Sequence, residues 1–64
     1  MDERLALAQQ HVVAGRKIVA RQRELVDCLE ASGRDASLGR TTLDLFEWTL
    51  KIFEDDLRDL TAGK

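Results

Sequence analysis

Apolar residues recur along this chain at alternating spacings of three and four, the period of an α-helix, in two long stretches separated by Ser32-Gly33-Arg34-Asp35. Neither stretch contains a proline, so nothing forces an early break in either. In the first, Leu5, Ala8, Val12, Gly15, Val19, Val26 and Leu29 form one stripe, widened by Leu7, Ala14, Ile18 and Leu25. In the second, Leu43, Phe46, Leu50, Phe53, Leu57 and Leu60 keep the strict alternation of a heptad seam. A further row, Leu45, Trp48 and Ile52, lies beside that seam. The pattern predicts an all-α fold, a two-helix antiparallel hairpin with no strands.

The spacing predicts helix 1 over about residues 2–32, with the carboxylates of Asp2 and Glu3 in its first turn, where the helix dipole favours negative charge. Gly33 stands just past the last periodic residue and supplies a left-handed stop. Asp35 is the expected N-cap of helix 2, which runs over about 36–61, leaving Ala62-Gly63-Lys64 frayed. Gly39 weakens the first turns of helix 2 by about 1 kcal/mol relative to alanine, which makes Thr41 a later candidate cap. The turn over 33–35 is short enough to make the helices antiparallel neighbours within one domain, each roughly 40 Å long.

Two helices in 64 residues cannot enclose a core on all sides, and a single core of this size is marginal without a disulfide, a metal or a partner. Leu43, Phe46, Leu50, Phe53 and Leu57 are the expected core within the chain. Leu45, Trp48 and Ile52 are left over as the expected interface, since a large apolar row beside a packed seam marks an association surface. The simplest partner is a second copy. Two-fold homodimers are the commonest assemblies, and two hairpins make a four-helix bundle; a tetramer satisfies the same pattern.

Charge narrows the partners. Ten Lys/Arg against twelve Asp/Glu give a net charge of -2, which argues against a dedicated nucleic-acid binder. The acidity is concentrated in the second half, whereas Arg16, Lys17, Arg21 and Arg23 form a basic segment in the first. That segment is a candidate anion surface for nucleic acid or acidic lipid. Pairing inside the bundle explains it better, because a hairpin turning near residue 34 sets it opposite residues 45–52, which include Glu47. No apolar run is long enough to cross a membrane and the first residues are charged, so a cytoplasmic protein is expected, with no membrane insertion and no secretory signal. The single Cys28 cannot pair within the chain, and a buried, inert thiol is the expected state.

Candidate chemistry is sparse. His11, the one histidine, lies near the centre of the helix 1 apolar face, and His11 followed four residues on by Gly15 matches the spacing of histidine phosphotransfer modules, whose glycine leaves room for a partner. Ala14 stands where those modules carry lysine, so the expected His11 is a structural residue bonded inside the bundle and only secondarily a phosphoacceptor. A contact from His11 to Asp56 would raise its pKa. Gln22 is a candidate polar residue for fixing register between the helices. One His and one Cys seventeen residues apart make no metal set within the chain, and the four glycines do not cluster into a phosphate loop. No cofactor, metal or catalytic residue is expected, and the protein is read as a non-enzymatic interaction or regulatory module.

Taken end to end, the chain resembles a group of short uncharacterised helical-hairpin proteins of alphaproteobacteria. The resemblance is carried by His11 with Gly15, the stretch Ile18-Val19-Ala20-Arg21-Gln22-Arg23-Glu24-Leu25, the turn Gly33-Arg34-Asp35, and Leu43-x-x-Phe46-Glu47-x-Thr49-Leu50. It implies the hairpin fold and no particular activity. The chain departs from that pattern at Gly39, where alanine is expected, and at Phe53, where histidine is expected and would have been a partner for His11.

Overall fold

A computed structural model describes residues 3–62. Among the described residues the chain is all-helical, with α1 over Glu3–Ala31 and α2 over Ser37–Thr61 packed against each other along their length and no strand. The result is a rod of 49 × 15 × 12 Å. Asp2, expected in the first turn of α1, and Gly63 and Lys64, expected to fray, lie outside the described residues. The connection spans residues 32–36, longer than the sequence pattern suggests because neither helix reaches its expected limit at the turn.

The turn closes α1 with a full set of backbone bonds. Gly33 takes the left-handed φ of +73°, and a β-carbon there would meet nothing, so backbone conformation alone selects glycine. Its N–H donates to the Glu30 carbonyl at 3.1 Å, and the Arg34 N–H donates to the Leu29 carbonyl at 2.9 Å, the paired arrangement of a Schellman stop. The Ser32 hydroxyl adds a bond to the Cys28 carbonyl at 2.9 Å. These bonds satisfy carbonyls that a helix end would otherwise leave without partners.

Asp35 organises the start of α2 from one position earlier than expected. The cap residue is Ala36, whose side chain makes no capping bond. Asp35 Oδ1 instead accepts from the Ser37 hydroxyl at 2.5 Å and the Ser37 N–H at 2.9 Å. Those two bonds, the hydroxyl's foremost, favour the ionised carboxylate and hold its pKa below the usual 3.8. Thr41 is not a cap. Its hydroxyl donates to the Ser37 carbonyl at 3.1 Å inside a helix that passes unbroken through Gly39.

The seam pairs small residues on α1 with large ones on α2. Val12, Val19 and Val26, one per heptad, are the buried residues of α1, and Ala36 is buried at the turn. Leu43, Phe46, Leu50, Phe53, Leu57 and Leu60 lie half-buried on α2, because one facing helix shields large side chains on one side only. Close approach is made possible by two glycines. A β-carbon on Gly15 would stand 3.0 Å from Leu50 Cδ1, and one on Gly39 would stand 3.2 Å from Val26 Cγ2. Gly39, a weak point by helix propensity, is therefore the hole that Val26, Gln22 and Leu29 fill. Gln22 Nε2 donates to the Gly39 carbonyl at 3.0 Å, a contact that gives the seam a direction as well as a volume.

These contacts separate two kinds of glycine. Gly33→Ala should cost about 1 kcal/mol through left-handed strain alone. Gly15→Val should cost about 1–3 kcal/mol by overpacking against Leu50. Thermal unfolding followed by helical circular dichroism checks both, and a Gly15→Val protein as stable as the parent would show that the seam is not closely packed there.

Candidate interaction surface

A hairpin seam has two flanks, and in this molecule they differ in kind. Among the described residues three ion pairs cross from helix to helix: Arg16 to Glu54 at 3.3 Å, Arg23 to Glu47 at 2.5 Å, and Arg40 to Glu30. Arg16, Arg23 and Glu30 recur every seven residues on α1, and Arg40, Glu47 and Glu54 do so on α2, so all three pairs line one flank. A fourth pair, Arg58 to Asp55 at 2.9 Å, stays within α2.

Residues two positions before or after these ionic ones are turned by about 200°, to the opposite flank. On α1 they are Ala14, Ile18, Arg21, Leu25 and Cys28, with Leu7 and His11 one heptad earlier; on α2 they are Leu38, Thr42, Leu45, Thr49, Ile52 and Asp56, with Asp59 one heptad after Ile52. Leu7, Ile18, Leu25, Leu38, Leu45 and Ile52 are all exposed there, from 40 % for Ile52 to 80 % for Leu38. The hydroxyls of Thr42 and Thr49 are already bonded to the carbonyls of Leu38 and Leu45 at 3.0 and 2.9 Å, so neither threonine needs an outside hydrogen-bond partner. Three shallow grooves follow this flank from end to end, one between Leu7, His11, Asp56 and Asp59, one between Ile18, Leu25 and Phe46, and one between Leu25, Leu38 and Thr42.

The expected interface row divides over this geometry. Leu45 and Ile52 belong to the open flank, whereas Trp48, 63 % exposed, directly follows Glu47 and sits on the back of α2 at the outer rim of that flank. In sequence the α1 half of the surface, Leu7, Ile18 and Leu25, is no more than part of a broad stripe. The ion pairs set it apart from the seam and show where the stripe stops being core.

Two single residues expected inside a bundle are exposed in the hairpin. His11 is exposed, its ring against Phe53 with centroids 5.0 Å apart and planes at 33°, because two helices cover only one side of an imidazole beside the seam. Phe53, which stands where histidine is expected, is thus its ring partner. Asp56 lines the same groove as His11, and among the described residues no hydrogen bond or ion pair joins them. Cys28 is exposed as well, since it precedes Glu30 by two residues and is turned away from the ionic flank toward the open one.

The other candidate sites are dispersed. Of the basic segment, Arg16 and Arg23 are engaged by Glu54 and Glu47, Arg21 borders a groove of the open flank, and Lys17 lies beside Val13 and Ala14 on the outer face of α1. Four cations spread over three faces make no single anion site. Gly15 faces Leu50 and Phe53 across the seam, so its missing side chain serves helix packing and leaves no clearance at the surface for a phosphate-bearing partner of His11. Among the described residues there is no group of three or more His, Cys, Asp or Glu arranged to hold a metal ion, and no helix long and apolar enough to cross a membrane.

The ionic flank makes a pairwise prediction. Both partners of the Arg23 to Glu47 pair are about half exposed, so Arg23→Glu should cost no more than about 1 kcal/mol, and Glu47→Arg in the same protein should restore most of the loss. Urea unfolding of the two single variants and the double variant measures the coupling, and additive losses would remove this pair from the register argument. Compared with known proteins, the chain matches no family model, no curated protein and no solved structure.

Proposed function

We propose that this protein is a non-enzymatic cytosolic helical module that acts through self-association, two hairpins closing their open flanks on one another as a dimeric four-helix bundle whose outer surface serves a protein partner or a regulatory role. The observation that supports this reading most is the asymmetry of the two flanks. Paired charge occupies one seam border, while the other carries six exposed Leu and Ile side chains. Burying them is worth about 25 cal/mol for each Å² of apolar surface removed from water, and the hairpin alone leaves them wet. Leu45 and Ile52 enter the interface in this arrangement, joined by Leu7, Ile18, Leu25 and Leu38, with Trp48 at its rim.

Light scattering across a concentration series should give twice the chain mass. Leu25→Glu and Ile18→Glu should each lower the association constant by at least a hundredfold, because a carboxylate buried in an apolar interface without a partner is strongly unfavourable. Lys17→Glu, on the outer face of α1, should leave it within threefold. A parent protein that stays monomeric while fully helical sinks the reading.

A second reading has one observation in its favour. His11 is accessible at the surface, as a phosphoacceptor must be. Asp56 and Asp59 border the same groove against the single cation Arg4, so the net charge there is unfavourable to a phosphoryl group, which places this reading behind the first. Acid-labile phosphate on the parent protein that is absent from His11→Gln is the result this reading expects.

A further inference from the structure

The open flank carries more than hydrophobicity, because its two borders are complementary to each other. His11 and Asp56 share one groove, as do Leu7 and Asp59, and Leu25 shares another with Thr42, so these residues lie at matching heights along the rod. Stepping along both helices by three and four residues from those levels sets Ala14 at the height of Ile52 and Ile18 at the height of Thr49. The two borders therefore pair a large side chain with a small one at Ala14 and Ile52, at Ile18 and Thr49, and at Leu25 and Thr42, while Arg21 stands level with Leu45. The α1 border also carries His11 and Arg21, whereas the α2 border carries Asp56 and Asp59.

We propose that the occupant of this flank is a second copy of the chain related by a two-fold axis along the rod, so that α1 of each copy lies beside α2 of the other and both turns are at the same end. This rests on the self-association reading and adds its geometry. Rotation about the rod axis preserves height, so the three large-to-small levels meet their complements. Ile18 packs over Thr49 of the second copy, Ile52 over its Ala14, and Leu25 over its Thr42. The threonine hydroxyls are satisfied within their own helix and pass into the interface without a lost bond. His11 comes level with Asp56 of the second copy at the end far from the turn, where the interface meets water.

The alternative two-fold axis, perpendicular to the rod, sets α1 against α1 and α2 against α2 with their directions reversed. Height is then inverted, and Asp56 and Asp59 of one copy fall at the level of Leu45 and Thr42 of the other. Asp56 and Asp59, which share their groove with Arg4, then lose solvent against apolar groups, and the matching of large to small is lost along both borders. Only the axis along the rod uses the surface as it is built.

Cys28, single and exposed near the turn, reports on the axis directly. A nitroxide attached to it, with inter-label distances measured by pulsed electron resonance in the full-length dimer, reads which ends are together. With the axis along the rod the two Cys28 Cα atoms are separated only across the bundle, by about 14 Å for interaxial distances of about 10 Å. With the perpendicular axis they lie at opposite ends, more than about 30 Å apart at about 1.5 Å per residue. The labelled protein is weighed by light scattering in the same buffer. Should the label at Cys28 loosen the pair, Cys28→Ser with Ala31→Cys moves it to the exposed last residue of α1 on the outer face, with the same contrast of near and far. A dimer with the short distance is the expected result. A dimer with the long distance overturns this geometry and leaves self-association standing, and a monomer overturns both.

Discussion

The register in which α2 lies against α1 governs the rest of the molecule, and it is held where two side chains are missing. Gly15 admits Leu50 and Phe53 near the middle of the seam, and Gly39 admits Val26 and Leu29 beside the turn. Sliding one helix past the other by a turn, about 5.4 Å, would push both glycines off their large neighbours and leave a void at each. The Gln22 amide on the Gly39 carbonyl adds a directional bond at one of these points. With that register in place Arg16, Arg23 and Glu30 fall level with Glu54, Glu47 and Arg40. The ion pairs are consequences of the packing more than causes of it, since each is half exposed and worth only tenths of a kcal/mol.

The same register divides the labour between the two flanks. One border is charged and internally matched, so it can remain in water. The other carries six exposed Leu and Ile side chains and has its threonine hydroxyls already satisfied, so water is the costly environment for that apolar surface. The chain's reactive side chains, His11 and Cys28, both lie on this second border, at opposite ends of the rod. Each is exposed in the hairpin for the same geometric reason, that a two-helix unit shields one direction only. The proposed closure of the open flank would cover both of them.

Much of the architecture was legible in the residues. The three-four spacing of Leu43 to Leu60, the valines at every seventh position of α1 and the single turn glycine specify two helices, their facing sides and their stop. Other features were obscured for identifiable reasons. Gly39 reads as a defect on a propensity scale because propensity describes a solitary helix, whereas its value lies in the Val26 methyl it accommodates. Asp35 has the right chemistry for a cap but acts through Ser37 from one residue earlier, a difference of backbone geometry that composition does not encode. His11 and Cys28 read as interior residues because their positions border apolar stripes. A stripe's width does not say how much of it a partner covers.

The sequence by itself determined the elements: helical period, absence of proline and a glycine competent for left-handed backbone. These depend on interactions among residues a few positions apart, which a linear pattern records. Which border of the seam would be ionic and which left open was decided by tertiary structure. That outcome depends on the level at which residue 16 meets residue 54 and residue 23 meets residue 47, hence on how closely two backbones approach at Gly15 and Gly39. A periodic sequence is compatible with several such registers, and only the packed side chains select one.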